Sequence, residues 1–102
     1  TRRLNFLFDI SYDSDLRQAK QIIEQILASD SAILKTPAIN VVVSELAASS
    51  VKLSAQAWVN TQDYSPTLGR ILEQVKLAFD EAGISIPFNQ LDVNLVSNSA
   101  KV

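Results

Sequence analysis

The first segment of the chain alternates apolar and polar residues from Leu4 to Tyr12. A period of two places the apolar side chains on one face, so this segment predicts a half-buried β-strand. The same alternation returns from Val51 to Val59, and a shorter apolar run covers Ile39 to Leu46. These two runs predict a second and a third strand, joined by a short connection as a hairpin.

Two other segments repeat their apolar residues with the period of an α-helix. The first is predicted from about Asp15 to Ala28, with Asp13 or Ser14 as its N-cap. The second begins at Ser65-Pro66, which is typical of an N-cap followed by the first helical residue, and Gly83 predicts its left-handed end. Its apolar stripe comprises Leu68, Ile71, Leu72, Val75, Ala78, Phe79 and Ala82.

A final short strand is predicted from Leu91 to Val96, followed by a polar tail. The order of elements favours an α+β, ferredoxin-like fold, βαββα(β), with two helices on one face of a mainly antiparallel sheet. The last strand either joins this sheet or leaves it to pair with other subunits, and Pro87 favours a segment that departs. We therefore divide the chain into an α/β domain, residues 1–88, and a C-terminal strand with its tail, residues 89–102.

The amino-acid composition excludes several classes of function. The 102 residues suit one domain, and they include neither His nor Cys, which excludes His-dependent triads, thiol nucleophiles and Cys-based zinc sites. Nine basic against eleven acidic residues argue against a nucleic-acid partner, because such proteins need a basic surface. An RNA-binding sheet would also need aromatics on its open face, whereas Phe6 and Phe8 share the helix-facing side. The chain contains no Met, which indicates a processed chain or a fragment of a longer protein.

Asp9, Asp13 and Asp15 form the densest acidic cluster. As a cation site the cluster lacks the glycine and the distal glutamate of a calcium-binding loop. The same residues can serve instead as a strand-end carboxylate and helix-capping groups. We therefore expect no metal, cofactor or catalytic site, and the chain is not expected to be an enzyme.

Trp58 is the residue that most suggests an interaction. Its neighbours by alternation are Lys52, Ser54, Gln56 and Asn60, so it should point away from the helices. Two interpretations stay open: Trp58 lies over the open side of the sheet beneath a loop, or it contacts another domain or subunit, since interfaces are enriched in Trp.

Asp80 and Glu81 are expected in the last turn of the second helix, where the helix dipole disfavours negative charge. A solvated helix face explains them, and a basic partner is the alternative.

Several stretches together resemble one family. They include Arg2-Arg3, Tyr12-Asp13-Ser14-Asp15, and the run Ala82-Gly83-Ile84-Ser85-Ile86-Pro87-Phe88-Asn89-Gln90-Leu91-Asp92-Val93. This pattern resembles the C-terminal cytoplasmic domain of the small-conductance mechanosensitive channel (MscS) family, from Arg2 to about Leu95.

The resemblance implies a multi-pass membrane parent with membrane helices N-terminal to Thr1, at the cytoplasmic face of the cell membrane. Seven copies would build a homo-oligomeric cage below a pore that releases ions and small osmolytes under membrane tension. The segment from Gln90 to Leu95 would supply one strand of a small parallel barrel. The candidate oligomer or interdomain contacts are Trp58, Leu91, Asp92, Val93, Asn94 and Leu95. The alternative is a free-standing ferredoxin-like ligand-binding or regulatory domain.

Overall fold

The computed structural model describes residues 1–87. Its elements are β1 (Arg2–Ile10), α1 (Leu16–Ser29), β2 (Asn40–Leu46), β3 (Val51–Val59), a 3₁₀ turn (Thr61–Asp63) and α2 (Tyr64–Ala82). The three strands form one antiparallel sheet in the order β1-β3-β2, and both helices pack against one face of it. This arrangement confirms the α+β class and the βαββα part of the ferredoxin-like pattern. The final predicted strand lies outside the described residues.

The core lies between the sheet and the two helices. Opposite residues of β1 and β3 combine large with small side chains, as in the pairs Leu4 with Ala57 and Phe6 with Ala55. The small alanines leave room for the helices to approach the sheet. Phe79 of α2 is fully buried in this core and meets Phe8 edge-on, with ring centroids 6.2 Å apart.

The start of α1 differs from the prediction by one residue. Asp15 caps the helix, and its carboxylate accepts a hydrogen bond from the Gln18 N–H at 3.1 Å. Asp13 and Ser14 are not the caps because both are bonded within the turn before the helix, where the Ser11 hydroxyl lies 2.8 Å from Asp13 and 2.9 Å from the Ser14 hydroxyl.

The start of α2 also differs. A 3₁₀ turn precedes the helix, so Tyr64 is the first helical residue, and Ser65 and Pro66 lie inside the first turn. Pro66 is tolerated there because the amides of a first helical turn have no intrahelical partner. The guanidinium of Arg2 stacks 3.7 Å from the centre of the Tyr64 ring and fixes this end of α2 against β1.

The end of α2 is as predicted. Gly83 has a φ of 75°, and its N–H donates to the carbonyl of Asp80 at 3.3 Å. The N–H of Ile84 donates to the Phe79 carbonyl at 2.9 Å, and Ile84 is buried. These two bonds and the apolar contact define a Schellman ending, which only a residue without a Cβ adopts at low cost.

Candidate functional site

One face of the sheet is free of helices among the described residues. We call it the open face, and the strand register sets it out in rows: Arg3 beside Trp58, Asn5 beside Gln56 and Asn40, and Leu7 beside Ser54 and Val42. Leu7 is 59% exposed and Val42 is 41% exposed, although both are apolar and lie in the same row. The open face therefore presents apolar side chains of two strands within a polar surround.

Trp58 lies on the open face, where strand alternation predicts it. Its side chain is half-buried, and its carbonyl accepts a hydrogen bond from the Leu34 N–H at 2.8 Å. The segment after α1 runs beside this end of β3, since Ile33 also forms a bridge with Val59. Trp58 is thus held firmly by its backbone, while its ring borders the open face.

A polar network closes the other end of the open face. The Lys52 ammonium lies 2.8 Å from the carboxylate of Asp9, and the Ser50 hydroxyl donates to the same oxygen at 3.3 Å. Glu45 is the β2 residue opposite Lys52. The hydrogen bond to Asp9, helped by the charges of Asp9 and Glu45, raises the pKa of Lys52 above its ordinary value. This end of the face is therefore charge-paired.

The acidic cluster of the sequence does not converge. Asp9 pairs with Lys52, Asp13 accepts from Ser11, and Asp15 caps α1. Within residues 1–87 no group of three or more acidic side chains has a geometry suited to a metal ion. The three carboxylates thus have separate structural partners.

The predicted contacts Leu91, Asp92, Val93, Asn94 and Leu95 lie outside the described residues. The chain that leads towards them is anchored at the end of β1. The Ser85 carbonyl accepts from the Ser11 N–H at 3.0 Å, and the Ser85 N–H donates to the Ser14 hydroxyl at 3.3 Å.

Sequence reasoning missed an open groove between α1 and α2, on the side of the helices that faces away from the sheet. It has a volume of about 1360 Å³, and Ile26, Leu77 and Ala78 supply its apolar lining. Arg70 crosses it and binds Asp30 with two hydrogen bonds of 2.8 and 2.9 Å. These two residues are forty positions apart in the chain, so no local pattern could have indicated their pairing.

The comparisons with known proteins fit this architecture. A family model described as "Mechanosensitive ion channel MscS, C-terminal" matches residues 4–86. A small-conductance mechanosensitive channel of Edwardsiella ictaluri is 33% identical over 94 residues, which make up 92% of this chain and 33% of the relative. An MscS family protein of Synechocystis is 30% identical over 100 residues, which make up 98% of this chain and 34% of the relative.

Solved structures show the same fold. Helicobacter pylori MscS in its closed state matches with a TM-score of 0.80 at 23% identity, covering 95% of this chain and 39% of that chain. Arabidopsis thaliana MSL1 matches with a TM-score of 0.73 at 15% identity, covering 86% of this chain and 34% of that chain.

The chain belongs to the MscS family of mechanosensitive channels and corresponds to their C-terminal domain. It spans about a third of the length of the curated relatives it matches. Among residues 1–87, neither helix combines the length and the apolar character needed to cross a bilayer.

Proposed function

We propose that this chain is the assembly domain of a mechanosensitive channel that releases ions and small osmolytes under membrane tension. Copies of it would build a homo-oligomeric cage, a heptamer by family resemblance, at the cytoplasmic face of the cell membrane. Its role is structural and not catalytic. Family membership supports this proposal, as does the match to about a third of the relatives' length, which leaves the rest of a channel to supply the membrane helices.

The observation that carries the proposal is the open face. The helices cover one face of the sheet, and among the described residues nothing covers the other. This open face holds Leu7, Val42 and the ring of Trp58. Burying a leucine and part of a tryptophan ring is favourable by about 25 cal/mol for each Å² removed from water. Tryptophan also recurs among the residues that dominate binding energy at interfaces. We assign this face to contacts with a second copy or with the rest of the channel.

The C-terminal segment is the second part of the proposed interface. Leu91, Asp92, Val93, Asn94 and Leu95 would form one strand of a parallel barrel shared between subunits. The anchoring of Ser85 at the end of β1, followed by Pro87, supports a chain that leaves the domain at this point. A lone strand leaves its backbone groups without partners, and copies from other subunits would supply them.

Light scattering on the 102-residue chain tests the proposal. We expect a concentration-dependent oligomer, and we expect the double variant Leu7→Ser, Trp58→Ser to have the molar mass of a monomer. Leu72→Ser is the matched control, because Leu72 is 45% exposed on α2 and lies off the open face. Circular dichroism checks that all variants are folded.

If the chain stays monomeric up to about 1 mM, its free energy of self-association is weaker than about 4 kcal/mol. That result would reject the assembly role for this chain and favour a free-standing regulatory domain. If the double variant forms the same oligomer as the wild type, the open face is not part of the interface.

A further inference from the structure

The groove between α1 and α2 lies on the opposite side of the molecule from the open face, and the assembly proposal does not use it. Along α2 its lining extends from Pro66 to Glu81, which is about 22 Å of helix axis at 1.5 Å per residue. Leu77 lines it and is 59% exposed, and Ile26 of α1 lies in the facing wall. The groove thus has the length for about four turns of helix, and Ile26, Leu77 and Ala78 offer such a helix an apolar contact.

The charged residues that line the groove are mostly acidic. Four carboxylates line the groove, Asp30, Asp63, Asp80 and Glu81, whereas Arg70 is the one cation in the lining contributed by residues 1–87. Arg70 is committed to Asp30, and Asp80 binds Lys76 one turn earlier in α2. The carboxylate of Glu81 makes no ion pair or hydrogen bond with any described residue. The groove therefore carries uncompensated negative charge beside the apolar side chains of Ile26 and Leu77.

The position of Glu81 adds a second argument. It lies in the last turn of α2, where the partial negative charge of the helix end disfavours a carboxylate, and that turn contains no basic residue. Leu77 and Glu81 are four residues apart, so both point from the same side of α2. An unfavourable carboxylate thus lies next to an exposed leucine. Departures of this kind from the preferred residue pattern concentrate at functional positions.

We propose that this groove binds an amphipathic helix with a basic polar face, supplied by a protein partner. An apolar residue of that helix would pack on Leu77 and Ile26, and a Lys or Arg one turn away would pair with Glu81. The partner would supply the positive charge that the last turn of α2 lacks. Binding at this groove is independent of contacts at the open face.

The probe is a fluorescein-labelled helical peptide of about 15 residues containing leucine, alanine and lysine, with the leucines on one face. Its binding to the 102-residue chain is followed by anisotropy. A scrambled peptide of the same composition and a version with glutamate in place of lysine are the reference peptides. We expect saturable binding of the first peptide that weakens as salt is raised, and at least about tenfold weaker binding of both references.

Matched variants locate the site. Leu77→Ser should weaken binding by about tenfold or more, and Glu81→Gln by about three- to fivefold at low salt. Leu72→Ser and Glu73→Gln change the same residue types on α2 outside the groove and should leave binding unchanged. All four side chains are exposed, so the fold should persist, and circular dichroism checks it.

Equal binding of the scrambled peptide, an equal effect of the control variants, or no saturable binding up to about 1 mM would each reject the proposal. A drop in molar mass on Leu77→Ser without peptide binding would instead assign the groove to a second copy, and would also reject it. None of these four outcomes tests Leu7 or Trp58, so the proposal for the groove and the proposal for the open face can be rejected separately.

Discussion

Arg70 of α2 holds Asp30, the residue that follows α1, with a two-pronged ion pair. Its Nε donates to Oδ2 at 2.8 Å and its Nη2 to Oδ1 at 2.9 Å. The Asp30 side chain is only 5% exposed, whereas that of Arg70 is 43% exposed, and the Ala32 N–H adds a third donor at 2.9 Å. A nearly buried carboxylate is thus satisfied by a residue forty positions away, and this pair ties the end of α1 to the second turn of α2.

The Arg70 hydrogen bonds lower the pKa of Asp30 below its ordinary value of 3.8, against the effect of burial, which raises it. Stability from this pair is therefore complete above about pH 4 and is lost as pH falls through the lowered native pKa. We expect Asp30→Asn to be less stable than the wild type at pH 7. Denaturant unfolding between pH 7 and about pH 2 should show the difference shrinking below about pH 4. A constant difference would mean that Asp30 does not ionise as a partner of Arg70.

Phe79 is fully buried and is the largest side chain that α2 contributes to the core. Phe79→Ala should lower the free energy of unfolding by about 3–5 kcal/mol, because it removes a ring and leaves a cavity against Phe8. Leu72→Ala on the same helix is the control and should cost less than about 1 kcal/mol. Urea denaturation measures both, and equal midpoints for the two variants would contradict this account of the core.

The two glycines of the chain should respond in opposite directions to alanine. Gly69 lies inside α2, and a methyl group added there would meet no other part of the protein within 4 Å, so Gly69→Ala should stabilise the protein by about 0.5–1 kcal/mol. Gly83 has a left-handed backbone, so Gly83→Ala should cost about 1–2 kcal/mol even though space is available. Thermal unfolding of both variants checks the prediction, and a shift of the same sign in each would contradict it.

Removing residues 89–102 distinguishes the two paths of the last strand. If the strand leaves the domain, the truncated chain should lose molar mass in light scattering but keep its unfolding midpoint under conditions where both chains are monomeric. If the strand completes its own sheet beside β1, truncation should lower that midpoint. We expect the first result.

Where the amino-acid pattern is local, it predicts this fold well. The alternation in β1 and β3 gave the two faces of the sheet, and the Gly83 ending of α2 followed from its position after an apolar stripe. Trp58 was placed on the open face by the same alternation. These features depend on residues within a few positions of each other, so a sequence shows them directly.

Features set by distant partners were not predictable. Tyr64 begins α2 directly after a 3₁₀ turn, and Arg2 stacks on its ring, whereas the Ser65-Pro66 pattern predicts a later start. β2 shifts register between Val43 and Glu45, which no residue there indicates. The groove depends on how α1 and α2 pack, which the sequence does not show. The one indication of it in the sequence is the unfavourable position of the Glu81 carboxylate in the last turn of α2.

The sheet order β1-β3-β2 also has a consequence for synthesis. β1 has no neighbour in this sheet until β3 exists, because Ile10 pairs with Val51 and Arg2 pairs with Val59. At about 5–20 residues per second a ribosome needs seconds to make that span. The helix that packs against β1 in the finished domain is α2, whose Phe79 meets Phe8, and α2 is made later still. The apolar face of β1 therefore lacks both its strand partner and its covering helix until most of the domain has been synthesised.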